Sequence, residues 1–102
     1  MKTKLIICIL YTINFAIFSQ NLTQSIYGQI LDKLSNEPIV AAVVSLDSIN
    51  LQTESDSAGN FTITNIPIGN YNVSIQAFGY ESHTEYNIQL TSSRNYLLNI
   101  FL

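Results

Sequence analysis

The chain has 102 residues, 47% hydrophobic and only 11% charged, with a formal net charge of −3. That length suits one domain, and the apolar content excludes a disordered chain. Lys2 and Lys4 fall in the first four positions, so Lys33 and Arg94 alone face seven carboxylates along the rest of the chain. Two cations can supply neither the phosphate contacts of nucleic-acid binding nor a basic face for anionic lipid.

Residues 1–19 read as a signal peptide. Lys2 and Lys4 form a short basic start, and residues 5–18 are apolar except for Thr12 and Asn14. The run is shorter than the roughly 20 residues a membrane-spanning helix needs, although an uncleaved anchor is the alternative. Ser19 is a small residue suited to the position before cleavage, whereas Ile17 fits the position two earlier less well than Ala would. Cys8 lies within this segment behind the bulky Ile7, a poor match to a lipid-modified cysteine. Once the segment is removed, no cysteine is left, so neither a disulfide nor thiolate chemistry is expected. The net charge of the remainder is −5, from the two cations and seven carboxylates.

Residues 20–25 read as a short polar leader. A first strand follows over 26–32, with Ile26, Gly28 and Ile30 on one face. A polar loop over 33–37 ends at Pro38. Ala42, Val44 and Leu46 then alternate with Val43 and Ser45, and a weaker strand spans 49–54. Asp56, Ser57, Ala58 and Gly59 form a turn, with Asp suited to the first position and Gly to the fourth. Phe61 and Ile63 alternate with Asn60, Thr62 and Thr64, the period of a half-buried strand. Residues 65–69 break the ladder, because Pro67 has no N–H and Gly69 is free to take positive φ. Tyr71, Val73, Ile75 and Ala77 define the next strand. Phe78, Gly79 and Tyr80 make a bend. Tyr86, Ile88 and Leu90 are expected inward, opposite Glu85, Asn87 and Gln89. After a turn over 91–94, the last strand covers 96–101. There Tyr96, Leu98 and Ile100 can face inward while Leu97, Phe101 and Leu102 are apolar as well. This strand is therefore covered on both faces, continues into further chain, or offers an edge to a partner. About seven short strands without a helix predict an all-β sandwich or small barrel.

Four stretches carry a family resemblance: G-Q-I-L-D at 28–32, E-P-I-V-A-A-V-V at 37–44, D-S-A-G-N-F-T-I-T-N-I-P-I-G-N-Y-N-V at 56–73, and F-G-Y at 78–80. Together they resemble the carboxypeptidase regulatory-like, or peptidase-associated, domain over 26–102. The resemblance implies a seven-stranded, transthyretin-like (prealbumin-like) β-sandwich. Such domains accompany metallocarboxypeptidases. In Bacteroidota they also stand at the N-terminus of TonB-dependent outer-membrane receptors and in other envelope proteins. No peptidase domain, receptor plug or barrel follows Leu102 in this sequence, and activity in the family resides in those parts.

The residues that carry the resemblance are Gly28, Asp32, Pro38, Asp56, Gly59, Phe61, Pro67, Gly69, Tyr71, Gly79 and Tyr80, and their expected roles are structural. Gly28 admits a close backbone or a tyrosine ring. Pro38 starts a strand where its missing N–H does no harm. Asp56, Gly59, Pro67, Gly69 and Gly79 serve turns and bends. Tyr71 resembles a corner tyrosine whose ring packs and whose hydroxyl hydrogen-bonds.

Nothing here composes a catalytic, metal or cofactor site. His83 is the only histidine, expected on an outward face with Glu81 and Glu85, and one histidine falls short of a metal ligand set. Asp56 with Asp32 and Asp47 lacks the alternating spacing of a calcium loop. No nucleophile motif is present. The expected function is a non-catalytic, exported accessory or interaction module of the cell envelope, periplasmic, outer-membrane associated or secreted. Its partner would be a protein or a covalently continuing receptor. The alternative is a small carbohydrate- or ligand-binding sandwich using Tyr27, Tyr80, Tyr86, Tyr96 and Phe78.

Overall fold

The computed structural model describes residues 22–102. The expected signal peptide, its cleavage after Ser19 and Cys8 lie outside the described residues. Eight strand segments and no helix occur among those described: β1 (Thr23–Leu31), β2 (Val43–Leu46), β3 (Gln52–Glu54), β4 (Asn60–Pro67), β5 (Gly69–Gln76), β6 (His83–Leu90), β7 (Tyr96–Leu97) and β8 (Ile100–Phe101). They form two sheets. The first has the order β4-β1-β7, with β8 also on β1; the second has the order β3-β2-β5-β6.

The two sheets bury the residues that the alternating pattern singles out. Ile26 and Ile30 of β1, Phe61, Ile63 and Ile66 of β4, and Leu98 and Ile100 meet Val44, Tyr71, Val73, Ile75, Ile88 and Leu90 in one core. This is the inner layer of a sandwich, with each strand contributing every second residue. With no cysteine among the described residues, burial of this kind carries the stability. Truncating Phe61 or Tyr71 to alanine costs about 3–5 kcal/mol.

Expected boundaries shift in five places. β3 begins at Gln52 rather than at residue 49. β1 begins at Thr23 rather than at residue 26, because Thr23 and Gln24 pair with Pro67 and Ile66; three residues of the supposed leader therefore belong to the sheet. Pro38 does not open a strand but sits in a lone antiparallel bridge opposite Leu31. The segment expected to break the ladder at 65–69 is strand up to Pro67, and only Ile68 separates β4 from β5. Finally, the single last strand is two pieces along the same edge of β1, in constant register: Ile26 with Tyr96 and Tyr27 with Leu97, then Ile30 with Ile100 and Leu31 with Phe101. This pairing is parallel, so the last residues of the domain run alongside the first in the same direction.

Two asparagines explain why β4 and β6 depart from simple alternation. Asn65 and Asn87 both have φ of 58°, a left-handed conformation that Asn tolerates better than most residues. Each lies where the pairing register slips, opposite the step from Gln24 to Ile26 in β1 and from Tyr71 to Val73 in β5. A bulge inserts one residue and so moves every later side chain to the other face. In β4 the buried series accordingly runs Phe61, Ile63, Ile66. In β6 the bulge turns Tyr86 outward, 68% exposed, where the pattern had placed it in the core. His83 and Glu85 instead pair with Ile75 and Val73 and lie on the same face of the sheet as these, at its rim, with side chains 42% and 39% exposed, which corrects the placement on the opposite face.

A buried polar side chain fixes the loop between β1 and β2. The Ser55 hydroxyl donates to the Ile39 carbonyl at 2.6 Å and accepts from the Ala42 N–H at 2.9 Å. Main-chain bonds from Ala41 N–H to the Ser55 carbonyl and from Ser55 N–H to the Ala42 carbonyl close the same knot. The knot holds Ala41 at φ of 59°, a left-handed conformation rarely adopted by alanine.

Candidate functional site

Each sheet has two edges, and each of the four is short or bulged. β3 is only three residues long, and β4 and β6 carry the asparagine bulges. Such devices discourage an edge from pairing with another chain. The edge formed by β7 and β8 is two pieces of two residues each, interrupted at Leu98 and Asn99, but it keeps one register along β1 and has no bulge. In a parallel ladder, residues of one strand alternate between facing the neighbour and facing away. The Leu98 and Leu102 amides donate to the Tyr27 and Leu31 carbonyls, so even-numbered residues here face β1. The main-chain groups of Leu97, Asn99 and Phe101 therefore point away from the sheet.

Their side chains stand on its outer surface. Leu97 is 54% and Phe101 55% exposed, and their partners on β1 are Tyr27, 43% exposed, and the half-buried Leu31. Around them the outer surface holds Ser25 and Gln29 of β1 and Asn60, Thr62 and Thr64 of β4. None of these strand residues carries a charge, although Asp32, Lys33 and Glu81 border Phe101 in the adjoining groove.

The edge is held on β1 by a specific exchange of partners. The Leu98 carbonyl occupies the space where a Cβ on Gly28 would stand, so only glycine fits at 28. With that carbonyl tipped over Gly28, the Gln29 N–H is met by the Asn99 side-chain Oδ1 at 3.2 Å. Asn95 Oδ1 accepts from the Ser25 N–H in the same way, at 3.2 Å. Asn95 and Asn99 escaped the sequence reading. Their only signal is that they lie four residues apart, Asn95 just before the last apolar run and Asn99 interrupting it.

Beside this edge, a groove of about 480 Å³ is lined by Asp32, Lys33, Leu34, Tyr80, His83, Phe101 and Leu102, among others. The Tyr80 hydroxyl donates to Asp32 Oδ2 at 2.7 Å. Asp32 Oδ1 accepts from the Leu34 and Ser35 amides at 2.8 and 3.0 Å. The tyrosine bond foremost, and then the two amides, hold the Asp32 carboxyl at about 2, below its ordinary 3.8. The same bond, with desolvation and the charges of Asp32 and Glu37, raises the Tyr80 phenol. His83 Nε2 lies 2.7 Å from Glu85 Oε1. Among the described residues no three of His, Cys, Asp and Glu gather closely enough to hold a metal.

The other residues singled out by sequence serve the scaffold. The Gly59 amide donates to the Asp56 carbonyl at 2.9 Å, closing a turn, and Asp56 Oδ1 accepts from the Ala58 and Asn60 amides. Gly59 has φ of 76° and packs against the Ile30 carbonyl and the Pro38 ring. The Tyr71 hydroxyl donates to the Pro67 carbonyl at 2.6 Å, across the corner that Gly69 turns. Gly79 has φ of 87° in the turn that the Tyr80 amide closes on the Ala77 carbonyl. Phe61 is core. Of the aromatic set, Tyr80 and Tyr96 pack against the core, Phe78 is fully exposed in a loop, and Tyr27 and Tyr86 stand on different sheets. The structure thus brings Asp32 to Tyr80, Pro67 to Tyr71 and Gly28 to Leu98, without gathering the set into one site.

Comparison with known proteins agrees with this scaffold. The chain is 32% identical over 91 residues to the TonB-dependent transporter Oar of Myxococcus xanthus, covering 85% of this chain but 8% of that protein. Two solved structures of a type II cohesin–X-dockerin complex from Acetivibrio cellulolyticus contain a similar chain. They match with TM-scores of 0.65 and 0.66 at 20% and 19% identity, over 76% of this chain and 52% of that one. At that identity the likeness is one of fold, an all-β sandwich. The profile of the carboxypeptidase regulatory-like domain matches residues 25–102, three quarters of the sequence, and the chain belongs to that family.

Proposed function

We propose that this protein is a non-catalytic interaction module of the cell envelope, exported by its N-terminal segment and placed ahead of a TonB-dependent receptor or acting beside one. The likeness to a TonB-dependent transporter supports the placement. The observation that carries the interaction role is the edge of β7 and β8. It offers unpaired main-chain groups at Leu97, Asn99 and Phe101 beside exposed apolar side chains, in one unbulged register along β1. An extended segment of a protein adds to such an edge by main-chain hydrogen bonds, and the side chains at alternate positions select it.

Two measurements test the reading. Immunoblotting of periplasmic, outer-membrane and secreted fractions locates the native polypeptide and gives its size; recovery only from the cytoplasm refutes the envelope placement. For the edge, adducts formed in the envelope by a photo-crosslinking residue at the exposed Arg94 are compared between the otherwise wild-type chain and a Leu97→Lys, Phe101→Lys variant. Loss of the adducts in a folded variant is expected. Unchanged adducts overturn docking at this edge.

A further inference from the structure

The exposed edge has a symmetry of its own. Reading outward-facing positions along it gives Leu97, Asn99, Phe101: apolar, polar, apolar. If a second copy of the edge is laid antiparallel with the twofold axis at Asn99, Leu97 falls opposite Phe101 of the other copy, and Asn99 opposite Asn99. Shifting the axis to position 98 or 100 puts Leu97 or Phe101 against Asn99 instead. Only the Asn99 register pairs both apolar side chains with apolar side chains.

The pairing on β1 extends this match. Tyr27 is the neighbour of Leu97, and Leu31 of Phe101. In the Asn99 register an unbroken row would cross the joint: Tyr27 and Leu97 of one copy, then Phe101 and Leu31 of the other. The twofold axis repeats that row on the far side of a polar row made by Gln29 and Asn99. Charge points the same way. Two strongly acidic domains repel through most of their surfaces, but the strand residues of this outer surface are uncharged, and the charges that border it beside Phe101 are of both signs, Asp32 and Glu81 with Lys33. A twofold interface requires such self-complementarity.

We infer that the partner of the β7–β8 edge is a second copy of this chain, joined antiparallel about Asn99 into one continuous sheet. The inference rests on the docking role proposed above and names its occupant. The joint involves few residues, well short of the roughly 800 Å² per partner of a standard interface. The dimer is therefore weak and favoured by the crowding of copies in an envelope.

Its register can be read by thiol crosslinking of the full chain carrying Cys8→Ser, so that introduced cysteines are the only thiols. Chains with Leu97→Cys and chains with Phe101→Cys are treated separately and as a mixture with a bifunctional reagent spanning about 5 Å, the separation of directly opposed residues. In the proposed register like positions lie four residues apart, about 14 Å. The mixture is expected to give at least ten times more crosslinked dimer than either variant alone. Equal crosslinking of the single variants, or no dimer in the mixture at high protein concentration, overturns the inference. Circular dichroism and the denaturation midpoint confirm that both variants are folded. If the crosslink is absent but the double lysine variant still loses its envelope adducts, docking at the edge stands and the second copy is excluded. If the adducts also persist, both readings fail.

Discussion

The Leu98 carbonyl rests on Gly28, where any other residue would put its Cβ. This contact seats the last strand against the first. Gly28→Ala forces the two backbones apart and is expected to destabilise the domain by about 1–3 kcal/mol or more. The strain is local, so amide exchange should accelerate at Leu98 and Leu102 well before Ile75. Uniform acceleration across both sheets in a urea and hydrogen-exchange series would mean that the last strand is not a separable element.

Ser55 is the buried polar residue on which the β1–β2 loop depends. Ser55→Ala leaves the Ile39 carbonyl and the Ala42 N–H without partners in a closed environment. An unsatisfied buried group costs about 1–3 kcal/mol, and the variant should lose that much in chemical denaturation. A loss below a few tenths would mean that water replaces the hydroxyl.

The Asp32–Tyr80 bond makes stability depend on pH at both ends of the scale. Asp32 is more acidic folded than unfolded, so its contribution is complete above pH 3.8 and fades as the pH falls toward about 2. Tyr80 is less acidic folded than unfolded. Its contribution is complete below pH 10.0 and is lost as the pH rises through its raised value. Both groups are open to solvent, so the effects are modest. The stability difference between wild type and Tyr80→Phe should be constant at mid-range and narrow in both windows. A difference that ignores pH would show that the hydroxyl acts only through packing.

The bulges call for asparagine or glycine. Asn87→Val places a β-branched residue in the left-handed region, at a cost of about 1–2 kcal/mol, and Asn87→Gly removes that strain. The valine variant has a second route open to it. It can straighten β6, which would bring Tyr86 inward and leave an unbulged edge. Thermal melts with light scattering should report both a lower midpoint and earlier aggregation for valine, and neither for glycine.

Most of the core was legible because a period of two survives wherever a strand is regular. Phe61 and Ile63, Tyr71, Val73 and Ile75, and Leu98 and Ile100 all lie inside, as alternation places them. Tyr86, His83 and Glu85 were misplaced together by one event, the left-handed Asn87, which reverses the faces without altering the alternation around it. The edge itself was half legible. The sequence displayed apolar residues on both faces of the last strand, but offered no sign that it would run parallel to β1 or that Asn95 and Asn99 would stand in for main-chain acceptors. Those depend on residues 70 positions apart, a separation over which local pattern carries no information.

Because β1 and the β7–β8 edge run in the same direction, the start of the first strand and the end of the last lie at opposite ends of one ladder. Tension applied between the two termini would load all the hydrogen bonds joining them in shear rather than peeling them one at a time. Shear demands that many bonds fail together, so the domain should resist tension along this axis. Single-molecule pulling should find a high rupture force along this axis that Gly28→Ala sharply lowers. A chain drawn on at one end would then hand the load through this domain to whatever is attached at the other.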